Sequence, residues 1–249
     1  METTGTKKRR RVLLRAAVIA AAGLALAPAR AQTKDPAMKI GVIGSGNIGG
    51  TLGVLWGQAG YEVFFSSRHP DQLGDLVKRA GPSAQAGMPR EAAAFGDVVL
   101  ISVPYGAVPQ VGRDLAAELA GKVVLETGNP YPSRDGAMAG PALEKGTGLA
   151  SAEFLPGVRL VRAFNSIPAG ALASEANRAG ERIAVPLAGD DAGALEVAAR
   201  LVRDAGFEPV VVGSLASASK FDRGTSVYGQ ALTARELRQR LGMDPAGRP

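Results

Sequence analysis

The sequence predicts an α/β fold, a doubly wound parallel sheet extended by a C-terminal βαβ unit. Three observations carry this. From residue 38 onward, short apolar runs alternate with amphipathic stretches, as strands do when crossover helices join them. The runs at 97–103 and 122–126 are apolar in their interiors, as strands buried on both faces are. A glycine loop, Gly44-Ser45-Gly46-Asn47-Ile48-Gly49, stands between the first apolar run and the first helical pattern. Right-handed crossovers then wind the helices onto both faces of the sheet.

Taken in order, Lys39–Ile43 is the first strand. After the loop, Leu52, Leu55, Trp56 and Ala59 recur at helical spacing until Gly60 stops the helix. Glu62–Ser66 is the second strand. Asp71 is expected to cap a helix through Ala80, followed by a Gly/Pro/Ser loop at 81–87. Residues 97–103 and 122–126 are strands, with a helix around 108–120 between them. Residues 158–163 and 182–188 are strand-like, and Asp190-Asp191 caps a helix to about Ala205. A last strand covers 208–212. Thr233-Ala234-Arg235-Glu236 has the form of a capping box, opening a helix that Gly242 ends. The chain divides into a nucleotide-binding part at 38–165 and a C-terminal extension with its terminal helix at 166–249.

Charge and composition exclude several classes. The 249 residues include 29 Lys and Arg against 23 Asp and Glu, a net charge of +6. Seven of those basic residues and only one acid lie in residues 1–31, so the remainder is neutral. The basicity therefore belongs to a leader, and nucleic acid is not an expected partner. There is no cysteine, which excludes disulfides, thiolate metal sites and a cysteine nucleophile. The single histidine, His69, argues against a histidine metal site or a Ser-His-Asp triad and is expected in a surface loop.

The leader has the parts of a signal peptide. Lys7 to Arg11 are basic, residues 16–27 are apolar, and Ala29 and Ala31 supply a small-x-small cleavage pattern. Twelve apolar residues fall short of a spanning helix, although an uncleaved tether remains the alternative. Arg10-Arg11-Val12-Leu13-Leu14 and Arg30 resemble a twin-arginine leader, so export to the periplasm is expected, with membrane contact limited to the leader.

The glycine loop suits a dinucleotide. Gly44 permits the tight turn, Gly46 lets backbone approach a pyrophosphate, and Gly49 lets helix and strand pack closely, the fingerprint of a Rossmann fold. Free N–H groups and the positive end of the helix dipole then face the phosphates. At the end of the second strand, an NAD-binding chain usually offers a carboxylate to the ribose. Here stand Ser66-Ser67-Arg68, whose hydroxyls and guanidinium suit a 2′-phosphate, so NADP(H) is the expected cofactor. Three further strand exits point into the same crevice: Val103-Pro104-Tyr105, Gly128-Asn129-Pro130 and Ala163-Phe164-Asn165. Asn129 is either a partner for the nicotinamide carboxamide or a turn former before proline. Phe164 is either a core ring or a stacking ring.

These segments, with Val161-Arg162-Ala163-Phe164-Asn165-Ser166-Ile167 the most specific, resemble the coenzyme F-420:NADP oxidoreductase family over about residues 38–215. They are also similar to the NADPH-binding domain of the STEAP ferric reductases and to the N-terminal domain of pyrroline-5-carboxylate reductases. The resemblance implies an NADP-dependent oxidoreductase that passes hydride between nicotinamide and a second redox cofactor or small acceptor, a deazaflavin or flavin. It implies that Ser45, Gly46, Asn47 and Ile48 touch the pyrophosphate and that Ser67 and Arg68 touch the 2′-phosphate. Val103 and Ala163 would lie along the ribose and nicotinamide; Asn165 departs from the family, and it is the strand exits that place Pro104, Asn129 and Asn165 in the same crevice. Ring-to-ring hydride transfer needs proximity more than acid–base groups, so no catalytic residue is singled out. The alternative is a non-catalytic NADP(H)-binding sensor or scaffold. The strand–helix–strand reading of 182–212 counts against a pyrroline-5-carboxylate-type enzyme with an all-helical C-terminal domain; a homodimer stays open.

Overall fold

The computed structural model describes residues 38–246; the leader lies outside them. Strand β1 (Lys39–Ile43) runs into helix α1 (Asn47–Gln58), which returns the chain to β2 (Glu62–Ser66). A 3-10 turn at Pro70–Leu73 precedes α2 (Gly74–Ala80), so Asp71 lies inside a turn and caps no helix. The expected loop at 81–87 ends in a three-residue strand, β3 (Gln85–Gly87), and α3 (Pro89–Phe95) leads to β4 (Val98–Ile101). The helix expected over 108–120 is two pieces, α4 (Val108–Asp114) and α5 (Ala116–Leu119). Leu115 separates them at φ −116°, ψ 17°, outside helical geometry. Then follows β5 (Val123–Glu126).

Three helices absent from the sequence reading come next: α6 (Pro132–Asp135), α7 (Ala139–Lys145) and α8 (Thr147–Phe154). Strand β6 (Arg159–Arg162) and the six-residue α9 (Ala169–Ser174) precede β7 (Ala184–Gly189), α10 (Ala192–Asp204) and β8 (Glu208–Gly213). Asp191 caps α10 by accepting from the Ala194 N–H at 2.7 Å. A 3-10 segment at Leu215–Phe221 leads to α11 (Ala234–Arg240), whose Thr233/Glu236 capping box is formed as expected. Among the described residues no helix is long and apolar enough to cross a membrane.

The eight strands form one sheet in the order β3-β2-β1-β4-β5-β6-β7-β8. The first six are parallel, and β7 and β8 are parallel to each other. Between β6 and β7 the pairing is antiparallel, Val161 against Gly189 and Arg162 against Ala188. The connection at 163–183 stays at the edge where β6 ends, so β7 enters from that edge and runs the opposite way. Alternation sorts side chains onto two faces. Val98 and Leu100 join the core under α1 and α10, whereas Val99 and Ile101 face α4 and α8. Trp56, wholly buried in α1, donates from Nε1 to the Leu201 carbonyl at 2.8 Å and so ties α1 to α10.

Candidate functional site

The loop after β1 is shaped by backbone contact. Gly44 has φ +93°, and a Cβ there would stand 2.4 Å from the Ser102 carbonyl oxygen. At Gly49 a Cβ would stand 2.2 Å from the Gly44 carbonyl oxygen, so α1 sits directly on the loop. Gly46 differs: it is the N-cap of α1 at φ −78°, and a Cβ would meet nothing within 4 Å. No side chain caps α1 and its first turn has no acid. The helix end is thus an open surface with uncompensated N–H groups. Ser45 braces the loop against β2, its N–H and Oγ donating to the Ser66 carbonyl at 3.2 and 3.1 Å.

A cavity of about 720 Å³ opens over this surface. Gly44, Ser45 and Gly46 line it from one strand exit, Ser67 and Arg68 from the next, and Val103 and Pro104 from a third. Ser67 Oγ accepts from the His69 N–H at 3.0 Å, and His69 is exposed as expected. The Arg68 guanidinium is exposed and has no hydrogen-bond or ion-pair partner among the described residues.

A second cavity, of about 430 Å³, shares Gly46, Ser102, Val103 and Pro104 with the first. Asn47 and Ile48 continue its wall, and Asn129 and Asn165 close its floor. Asn129 Nδ2 donates to the Asn165 carbonyl at 2.8 Å, and Asn165 Nδ2 donates to Asn129 Oδ1 at 3.4 Å. Asn165 is only 3% exposed, yet its Oδ1 has no partner among the described residues. An unpartnered buried acceptor on a residue that lines the cavity fits a ligand that brings an N–H, such as a carboxamide.

Every expected site residue but one therefore lines the crevice. Ala163 lies at the end of β6 fully buried in the core and lines neither cavity. Phe164 is a core ring, set edge-on to Trp56 at 6.2 Å and Phe207 at 6.4 Å. Its φ of 60°, rare for a bulky residue, lets the chain turn there and deliver Asn165 to the cavity. Sequence reasoning missed Tyr131, Arg134 and Tyr228, which also line the second cavity. Arg134 Nη2 donates to the Asn129 carbonyl at 2.7 Å, and Tyr131 and Tyr228 share a hydrogen bond of 2.7 Å.

Beneath the floor runs a buried polar chain. Glu126 and Arg162, adjacent partners on β5 and β6, form an ion pair with no exposure. Arg162 Nη2 also donates to the Gly128 carbonyl at 2.7 Å, and the Gly128 N–H donates to Glu126, so the pair clamps the peptide before Asn129. Burial pulls the Arg162 pKa below its ordinary value. Ser151 donates to Glu126 at 2.9 Å and bonds Tyr105, whose pKa burial raises. Asp222 completes the chain, accepting from the Thr147 N–H at 3.0 Å beside the Tyr105 hydroxyl's contact with the Thr147 carbonyl at 3.3 Å.

The chain is similar to known proteins. Residues 39–130 match the family described as NADP oxidoreductase, coenzyme F420-dependent. The F420-dependent NADP reductase of Methanothermobacter thermautotrophicus is 32% identical over 177 residues, 66% of this chain and 75% of the relative. Metalloreductase STEAP3 of Rattus norvegicus is 30% identical over 198 residues, 77% of this chain, which spans only 37% of that protein's length. The crystal structure of hypothetical protein SMa0349 from Sinorhizobium meliloti superposes with a TM-score of 0.69 at 26% identity, over 81% of this chain and 97% of that one. The chain belongs to the coenzyme F420-dependent family of NADP oxidoreductases.

Proposed function

We propose that this protein binds NADP(H) across the two joined cavities and passes hydride between its nicotinamide and a second redox cofactor or small acceptor, a deazaflavin or flavin. The observation that carries this is the shared wall. Gly46, Ser102, Val103 and Pro104 belong to both cavities, so one extended ligand can reach from Arg68 to Asn165. The α1 N–H groups and the open surface at Gly46 suit a pyrophosphate, and the unpartnered Arg68 suits a 2′-phosphate. Asn165 Oδ1 would accept from the carboxamide, and Asn129 holds Asn165 in place through its carbonyl. Bound there, NADP(H) supplies the hydride; the chain's task is to hold the two rings at contact distance.

Stopped-flow oxidation of bound NADPH against flavins, a deazaflavin and quinones tests the reading. At least one acceptor is expected to be reduced faster than in free solution. If none is, the protein is a non-catalytic NADP(H) binder. The leader at 1–31 supports export by the twin-arginine route. Arg10→Lys with Arg11→Lys keeps the charge and is expected to retain the protein in the cytoplasm, whereas normal periplasmic accumulation assigns the general secretory route.

A further inference from the structure

The segment after β8 carries a tyrosine to the second cavity that no motif announces. The hydroxyl oxygens of Tyr131 and Tyr228 lie 2.7 Å apart, and both residues line the cavity with Asn129 and Asn165. Two hydroxyls carry two protons, and the bond between them uses one. Neither oxygen has another partner among the described residues, so one O–H is left without an acceptor. Two guanidiniums flank the Tyr131 ring, Arg134 at 4.9 Å and Arg223 at 4.8 Å from its centroid. Asp135 pairs with Arg134, whereas Arg223 is exposed and makes no ion pair with a described residue. Together these cations favour negative charge that develops on the phenol pair. In the resting protein, burial and the bond to Tyr131 push the Tyr228 pKa up to about 12, which keeps its proton in place.

We propose that the Tyr131–Tyr228 pair is the proton donor of the second cavity, and that the acceptor is a neutral conjugated heterocycle or carbonyl compound that gains a proton on nitrogen or oxygen as it is reduced. This rests on the hydride-transfer reading and adds the fate of the proton. The C–H bond of the reduced nicotinamide breaks with its electron pair, which forms a new bond to hydrogen on the acceptor; the nicotinamide is oxidised and the acceptor reduced. The displaced π pair collects on the acceptor's heteroatom, which takes the proton as a phenol O–H breaks. The phenolate takes a proton from its phenol partner, and solvent water at the half-buried mouth restores that one.

Tyr131→Phe with Tyr228→Phe removes both hydroxyls and keeps both rings. Flavin reduction by this double variant is expected to fall roughly a hundredfold in kcat, the lower end of what general acid catalysis supplies. Affinity for the oxidised flavin, titrated against the NADP⁺-loaded protein where no turnover occurs, is expected to fall about three- to tenfold for the lost hydrogen bond. NADPH affinity should stay near that of the wild type and report an intact fold. Wild-type kcat should also slow in deuterated water. An unchanged kcat in the double variant, unchanged flavin affinity, or a wild-type kcat indifferent to deuterated water overturns this proposal alone. A wild type that reduces no acceptor overturns it together with the hydride-transfer reading.

Discussion

Glu126 and Arg162 face one another across the β5–β6 strand pair as an ion pair with no access to solvent, and both also hold the Gly128 peptide. Removing one partner strands the other charge in the core. Arg162→Met is therefore expected to cost about 3–5 kcal/mol of stability, read by urea unfolding. Arg162→Met together with Glu126→Leu should cost less than the two single changes added, because no charge is left alone. Strict additivity would show that the pair is not energetically coupled.

Substitutions at Gly44 and Gly46 are expected to separate folding from binding. Gly44→Ala forces a side chain into φ +93° and against the Ser102 carbonyl, which should destabilise the fold by about 1–3 kcal/mol for the backbone strain alone. Gly46→Ala meets no protein atom, so stability should change by about 1 kcal/mol or less. Its methyl would instead occupy the surface offered to the pyrophosphate, and NADPH affinity should fall roughly tenfold or more, the equivalent of a hydrogen bond lost. Thermal unfolding with calorimetric titration checks both; a Gly46→Ala protein that binds normally removes the phosphate from this loop.

Arg68 is expected to decide between cofactors. With no partner to satisfy among the described residues, its guanidinium is available to a 2′-phosphate. Arg68→Ala should weaken NADPH about 10- to 100-fold, as a charged hydrogen bond is lost, and leave NADH nearly unchanged. Equal affinity of the wild type for NADPH and NADH, by calorimetry, contradicts the assignment.

Asp135 ties the second cavity's wall to acid stability. Burial would raise its pKa, but the bonds from Arg134 and from the Tyr131 and Gly106 N–H groups outweigh it and hold the carboxyl below the usual aspartate range. A depressed folded value means stability that is present above the unfolded aspartate pKa of about 3.9 and is lost as pH falls through the folded value. Asp135→Asn should be less stable than the wild type at neutral pH, with the gap closing below about pH 4. A gap independent of pH in denaturant titrations would assign the effect to packing instead.

Much of this is legible in the sequence. Glu62–Ser66 reads as a strand because its apolar residues sit between a helix stop and a serine-rich turn, and the boundaries agree. Gly44, Ser67, Asn129 and Asn165 follow from strand exits, since a parallel sheet gathers those exits at one edge. The exceptions have physical causes. Gln85–Gly87 becomes a strand only because Phe64–Ser66 offers it an edge to pair with; three residues of this kind carry no signal of their own. The reversal at β7 depends on where the connection at 163–183 lies, which periodicity does not encode. Tyr228 meets Tyr131 across 97 residues, through a stretch without regular structure, so no local pattern marks it.

The reversed pairing of β7 has a consequence for how such a site can change. Strands β7 and β8 finish at the edge away from the cavities, and Leu215, just beyond β8, lines a separate hollow with Gly157 and Arg159 at the start of β6. Reaching Tyr131 obliges residues 215–228 to climb back along α8, held by Asp222 on Thr147 and by the Gly229 N–H on the Ser166 carbonyl at 2.7 Å. The wall built from Gly44, Ser67 and Val103 is thus dictated by strand register, which one insertion would ruin. The opposite wall hangs on a pinned strap. Residues between its pins can be exchanged, lengthened or shortened while the sheet keeps its register, so descendants of this chain can acquire new acceptors without relearning how to hold the dinucleotide.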